Sequence, residues 1–332
     1  LLAAPDKFRG TATAAEVATA VATAADRLGW DHAEVPMADG GEGTLAALGG
    51  PNRTTTVTGP LGDPVDAAWR LDRRSAVIEM ACASGLELVG GPEGNDPIAA
   101  STTGTGELIA TAVELGARRV VVCLGGSATT DGGLGALRAL VVPRFRGIEV
   151  IVACDVRTTF LEAADVFAEQ KGASGAQVEL LRRRLERLAE VYEEEYGVDV
   201  RSLPGGGAAG GLAGGLAAIG ATLVDGFDLV ADELDLAAAM DGADLVVTGE
   251  GYLDAESFDG KVVGGVAEQA AELDVPVLAV VGAVDPDLDP QLHHGVEVVS
   301  LTERFGEDRA RVETAALVEE VVADRLGRSI RP

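Results

Sequence analysis

Residues 243–251 read ADLVVTGEG. A short apolar run that stops on Gly and an acid is how a strand buried on both faces reads, with its working end at the carboxyl terminus. The pattern recurs in VVVCLGG (120–126), IEVIVACD (148–155) and VPVLAVVGA (275–283). Ala-rich segments with helical periodicity alternate with these runs: 13–29, 106–116, 176–195, 263–273 and 310–327. The leucines of 176–195 recur at heptad-like spacing with charges between them, the pattern of an amphipathic surface helix. Alternation of this kind predicts an α/β protein with mostly parallel sheet. Residues 53–80 break it. Their Thr/Val runs and Gly-Pro turns predict an antiparallel meander and a second domain of different style.

The bulk numbers narrow the function classes. The chain has 332 residues, 47% of them hydrophobic, enough for two cored domains. Its 54 acidic and 26 basic residues give a net charge of −28, which argues against nucleic-acid or anionic-membrane partners. Any phosphate or carboxylate ligand must be held by local features against that field. Only three of the cations are lysines, and Lys7, Lys171 and Lys261 all lie beside glycine or within a few residues of one. Such compact charges suit phosphate. Cys82, Cys123 and Cys154 sit in apolar stretches without a CxxC, and read as buried, reduced thiols of a cytoplasmic protein. Residues 205–224 carry no charge, but Gly and Ala dominate them. They read as a turn plus a small-residue helix that admits a close neighbour, rather than a membrane span.

Several stretches carry chemistry. In LLAAPDKFRGTATAAEVA the strand ends at Asp6, with Lys7 and Arg9 leading into a helix that Thr13 and Glu16 can cap as a box. A helix start preceded by two cations is a natural anion site. ADGGEGT (38–44) joins consecutive glycines, whose amides can form an anion nest, to Asp39 and Glu42. Amides for oxygens and carboxylates for a metal are what a magnesium-bound polyphosphate requires. Ser101, Thr102, Thr103, Gly104 and Thr105 open one helix. Gly125, Gly126, Ser127, Thr130 and Asp131 precede another, in LGGSATTDGGLGALRAL (124–140). Two such Ser/Thr/Gly helix starts point to phosphate or carboxylate binding. Asp155 follows a strand and could act as a general base, with Arg157 gripping a substrate carboxylate. Glu250, Ser257 and Lys261 lie at a further strand end. That segment is not a P-loop, since Ala255 and Val262 stand where Gly and Ser/Thr are needed. It is not a GxGxxG turn either, which counts against a nicotinamide dehydrogenase.

Taken in order, APDKFRG (4–10), ADGGEGT (38–44), IEMACASGLELV (78–89), STTGTGELI (101–109), LGGSATTDGGLGAL (124–137), ACDV (153–156), QKGA (170–173), GAAGGLAGGLAAIGA (207–221) and TGEGYLDAESFDGK (248–261) resemble the bacterial type I glycerate kinase family. The resemblance spans nearly the whole chain. It implies two α/β domains with the active site in the cleft between them. One, Rossmann-like with mostly parallel sheet, comprises residues 1–55 plus 238–332; the other, mixed α/β, is inserted as 56–237. It implies ATP-dependent, Mg2+-assisted phosphorylation of D-glycerate to 2-phosphoglycerate, by a cytoplasmic monomer or homodimer. The alternatives are a 3-phosphoglycerate-forming enzyme and a non-catalytic small hydroxy-acid binding protein.

On that reading Asp155 is the base, and Lys7 or Lys171 lies near the transferred phosphate. Arg157, Arg9 or the 101–105 hydroxyls hold the glycerate carboxylate, and the Gly/Ser/Thr helix starts hold the triphosphate. Asp39, Glu42 and Glu250 are the metal or water-positioning candidates. The chain departs from the family pattern in four places. Lys7 and Arg9 stand where DSFKG has Ser and Lys, Tyr252 replaces the usual Arg, ACDV is followed by RTTFLEAADVF without the usual Asn-Pro-Leu turn and Gly-rich stretch, and the run from Leu140 to Val150 is shortened.

Overall fold

The computed structural model describes residues 1–329, which divide into two compact units: 1–39 with 226–329, and 40–225. The first unit is built on a five-stranded parallel sheet. Its strands, in chain order, are Leu2–Ala3, Ala33–Glu34, Val246–Thr248, Val277–Val281 and Val296–Ser300. Their spatial order is 2-1-3-4-5. In such a sheet the crevice for ligands opens where the order reverses, between the carboxyl ends of the first and third strands. Asp6 follows the first of these ends and Glu250 the third. Helices Ala14–Leu28 and Thr314–Ser329 supply apolar residues such as Val17, Val21, Leu317, Val318 and Val322 to the core on Leu278 and Val280. The Thr13–Glu16 capping box forms as its spacing predicts: the Glu16 amide donates to Thr13 Oγ1 at 3.2 Å, and the Thr13 amide donates to Glu16 Oε2 at 2.8 Å.

The second unit holds a six-stranded mixed sheet in sequential order: Arg53–Thr58, Pro64–Asp72, Ser75–Glu79, Arg119–Cys123, Glu149–Cys154 and Thr222–Asp225. The first two pairings are antiparallel, as the 53–80 pattern predicts, and the remaining three are parallel. The meander is therefore the edge of this sheet rather than a domain of its own style. Trp69, Ile78, Val120, Val122 and Val152 form a core with Leu108 and Ile109 of helix Thr103–Glu114 and Leu181 and Leu185 of helix Gly175–Tyr196.

The unit boundaries fall at 39/40 and 225/226, not at 55/56 and 237/238. Strand Arg53–Thr58 straddles the first expected boundary and pairs along its full length with Pro64–Asp72. Gly265 is fitted to the ring of Phe227, where a Cβ would lie 2.2 Å from a ring carbon, which ties residues 226 onward to the first unit. The small-residue stretch does admit a close neighbour: a Cβ on Gly210, whose φ is +67°, would lie 2.0 Å from the Thr129 carbonyl oxygen. The stretch also holds a strand, Thr222–Asp225, that its composition hides. Among the described residues no helix is long and apolar enough to cross a membrane.

Candidate functional site

At the reversal point of the first sheet the two strand ends are bound together. The Ala4 amide donates to the Val247 carbonyl, and the Asp6 amide donates to that of Gly249, at 2.8 and 2.9 Å. Gly249 is also fitted to the neighbouring strand Val277–Val281, since a Cβ there would lie 1.9 Å from the Val280 carbonyl oxygen. Asp6 is only 8% exposed. It accepts from the Lys7 amide at 2.7 Å, and Lys7 Nζ lies 3.8 Å away. Burial pushes the Asp6 carboxyl up to about 6; Lys7 opposes this, Asp39 adds to it, and Lys261 opposes it.

Glu250 behaves alike. Burial pushes it up to about 7, with Asp6 and Asp254 adding repulsion against a Ser257 hydrogen bond and the charge of Lys261. Its Oε1 is buried with no hydrogen-bond partner. Buried Ser257 exchanges hydrogen bonds with Asp254, and Lys261 Nζ donates to Glu256 at 3.1 Å. The first unit thus gathers Asp6, Lys7, Asp39, Glu250, Ser257 and Lys261, while Arg9 lies exposed on the loop that follows. Acids that repel one another around an unpartnered buried carboxylate oxygen form a place where a cation is stabilised.

Among the described residues no three His, Cys, Asp or Glu side chains form a metal-holding group. The expected trio is divided: Asp39 and Glu250 belong to the first unit, and exposed Glu42 belongs to the second. Mg2+ needs only one or two carboxylates when substrate phosphates complete its shell, so Asp6 and Glu250, whose charges act on one another, fit such an ion without a third acid.

The second unit uses its helix starts differently from expectation. Asp131 Oδ2 accepts from the Thr102 amide, Thr102 Oγ1 and the Gly135 amide at 2.9, 2.9 and 3.1 Å; Oδ1 accepts from the Gly133 amide at 3.0 Å. Thr102 Oγ1 in turn accepts from the Ala136 amide. The donors expected to receive an external anion here hold the chain's own carboxylate. Thr105 is buried and shares a hydrogen bond with Ser84, and a Cβ on Gly104 would lie 2.0 Å from the Thr58 carbonyl oxygen. Ser101 and Thr103 share a bond with each other and remain half-buried.

Lys171 is an interior residue, 4% exposed. Its Nζ donates to Ser127 Oγ at 2.8 Å and to the Thr129 carbonyl at 2.7 Å. Burial pulls its pKa down to about 7 against the attraction of Asp131. It braces the 127–130 loop, which follows half-buried Gly125 and exposed Gly126. Asp155 and Arg157 lie beyond the end of Glu149–Cys154, half-buried and exposed respectively.

Two acids escaped the sequence reading. Asp225 closes the neighbouring strand in register with Cys154, and both Asp155 and Asp225 push the Cys154 thiol up, after burial, to about 11. Glu79 is 8% exposed and accepts from the Gly43 and Leu45 amides at 2.9 and 2.7 Å. The signal for Glu79 was present, since SAVIE (75–79) is another apolar run ending in an acid. The three cysteines carry free thiols, Cys82 and Cys154 pushed up by burial first, to about 11, and buried Cys123 higher.

Comparison with known proteins covers the whole chain. The glycerate kinase family profile matches residues 1–146 and 141–331. The two matched pieces meet where the run after Leu140 is short. The chain is 38% identical to glycerate 2-kinase of Escherichia coli K12 over 340 aligned residues, covering 90% of this chain and 89% of that protein. It is 39% identical to glycerate kinase of Haemophilus influenzae Rd over 337, covering 89% of each. A crystal structure from Salmonella typhimurium LT2 that carries the name glycerate kinase 2 superposes with a TM-score of 0.83 at 35% identity, covering 99% of both chains. The ordered motifs, the two α/β bodies and the full-length match agree, and this chain belongs to the glycerate kinase family.

Proposed function

We propose that the protein transfers the γ-phosphoryl group of ATP to the C2 hydroxyl of D-glycerate, giving 2-phosphoglycerate and ADP. The observation that carries this reading is the family match along the whole chain, with a 2-kinase among its relatives. Asp155 takes the hydroxyl proton as the C2 oxygen bonds to the γ-phosphorus and the bond to the β-phosphate oxygen breaks. Arg157 grips the glycerate carboxylate, with Arg9 as a further donor. Lys7, beside Asp6, faces the transferred phosphoryl group. Asp6 and Glu250, with the charge of Asp39 acting on Asp6, would hold Mg2+, which when bound offsets charge on the phosphate oxygens. Lys171 keeps the 127–131 loop in place and does not itself meet the phosphate. The supply of ATP places the protein in the cytoplasm.

A coupled assay for ADP release with D-glycerate, ATP and Mg2+ tests the activity, and 31P and 1H NMR of the product tests its regiochemistry. A C3 phosphoryl signal would replace the 2-kinase reading with a 3-kinase one. Absence of glycerate-dependent ADP would favour a binding protein. Asp155→Asn should lower kcat about 100-fold or more with little change in the KM for ATP; near-normal turnover would remove Asp155 from the base role.

A further inference from the structure

A cavity of about 450 Å³ opens in the second unit between the 97–100 segment, the start of helix Leu134–Ala139 and helix Gly175–Tyr196. Its walls are aliphatic: Ile98, Leu134, Leu185, Leu188 and Val191. Thr130 and Asp131 also line it. Thr130 is 1% exposed, and its Oγ1 is buried with no hydrogen-bond partner. A buried hydroxyl without a partner is costly, and one lining a cavity calls for a ligand atom to complete it.

We propose that this cavity is the nucleotide-base pocket, taking the adenine and ribose of ATP; the inference rests on the kinase reading above. The size lies in the range of nucleotide-sized ligand pockets, which are mostly apolar with a few placed polar groups. The uncharged end of the nucleotide is the part that fits. Asp131 puts a carboxylate in the lining, and the cations there are already engaged: Arg183 with Glu179, Arg187 with Glu190, and Arg184 with the Ile98 carbonyl. Arg183 and Arg187 are thus paired with acids and Arg184 is bound to a carbonyl, and a planar base can lie against a guanidinium plane. Arg184 Nη1, donating to the Ile98 carbonyl at 2.9 Å, holds the 97–98 segment against the long helix and keeps the slot shaped. Thr130 Oγ1 can donate to a ring nitrogen or accept from the exocyclic amine. Thr130–Asp131 leads directly into the glycine turn at 132–133, and Asp131 joins that turn to the Ser101–Thr105 helix start. A nucleotide seated here therefore has its phosphates leaving toward the half-buried hydroxyls of Ser101 and Thr103. The other cavity described, about 380 Å³ along Thr55–Thr58 and Glu107, lies on a threonine-lined sheet edge and offers a base no comparable slot.

Photolabelling with 8-azido-ATP tests the site whether or not the enzyme turns over. Label should map by mass spectrometry to residues 97–100 or 183–191 and should be competed by ATP. Label confined to other segments, or none that ATP competes, overturns the proposal. In the ADP-release assay, Val191→Trp should raise the KM for ATP at least tenfold with the glycerate KM within twofold of wild type. Ile98→Trp serves the same purpose if Val191→Trp does not fold. Thr130→Val should raise the ATP KM about threefold to tenfold while the fold holds or gains stability. Unchanged ATP KM in folded Trp variants sinks the pocket while leaving the kinase reading intact. An inactive wild type that still labels at these residues keeps the pocket and sinks the kinase reading.

Discussion

DGGEGT at 39–44 and DGGLGA at 131–136 share four letters in register and part company in the backbone. In the first, Gly40 and Gly43 take positive φ, 85° and 99°, and the helix starts at Thr44. In the second, Gly132 and Gly133 do so, at 66° and 79°, and the helix starts two motif positions earlier, at Leu134. Each helix start needs a carboxylate to satisfy its amides, and the two obtain it differently. Asp131 turns back onto its own motif and also reaches Thr102. The first motif is served by Glu79, 36 residues further along, and its own Asp39 falls in the other unit, where its charge acts on Asp6. The likeness is therefore convergence on a glycine turn, not a duplication. Of the two aspartates, Asp39 is the one whose charge acts within the acidic group at the sheet reversal.

The comparison breaks most sharply at Asp131. Asn there cannot keep both carboxylate oxygens as acceptors, so at least one of the four donors now held loses its partner and the charge-assisted bonds weaken. The expected loss is about 3 kcal/mol of unfolding free energy, read by urea denaturation. A loss under about 1 kcal/mol would mean that the clasp is not what joins the two helix starts. Asp39→Asn should show the opposite profile. It should cost less stability than Asp131→Asn and lower kcat/KM about 100-fold, or roughly 2.7 kcal/mol. A destabilised but active Asp39 variant would erase the distinction between the motifs.

The next effect is pH-dependent and belongs to the first unit. Asp6 and Glu250 have folded pKa values raised to about 6 and about 7 from 3.8 and 4.5, so the folded chain keeps their protons to higher pH than the unfolded chain does. Their contribution to stability is complete below about pH 4 and is lost as pH rises through 6 and 7. Glu250→Gln removes its share of that loss and should gain about 2–3 kcal/mol at pH 8, with little gain at pH 4. Millimolar Mg2+ should raise the Tm of the wild type at pH 8 and raise that of the variant less. Equal Mg2+ effects on the two proteins would take Glu250 out of the cation site.

Periodicity made the principal helices and the buried strands legible, and local spacing made the Thr13–Glu16 box legible, because those features are settled within a few residues. The chemistry-bearing residue types were legible as well, but not whom they would serve. The amides after Asp131 read as open to a phosphate, yet Asp131 itself already satisfies them. Lys171 reads as a phosphate lysine in QKGA, and its burial among Ser127 and Thr129 arises from a 44-residue return of the chain. Strand Thr222–Asp225 hides behind a Gly/Ala stretch whose low side-chain content leaves period two with nothing to register. Donor and acceptor inventories follow from sequence, whereas their pairing depends on which distant segment returns.

Glu79→Gln gives the smallest effect and the finest test of the comparison. Both amide bonds described at Glu79, from Gly43 and Leu45, fall on the single oxygen Oε1. A glutamine can present its carbonyl oxygen to both, losing the charge assistance but not the acceptor. The cost should be about 1 kcal/mol, against about 3 for Asp131→Asn. Glu79→Ala removes the acceptor itself and should cost about 2 kcal/mol or more, leaving two amides unpaired beside a buried helix start. If the Gln and Ala variants lose equal stability, the negative charge of Glu79 matters rather than its oxygen. The first motif would then be held by attraction of the helix start to a charge, and the second by a fitted set of hydrogen bonds.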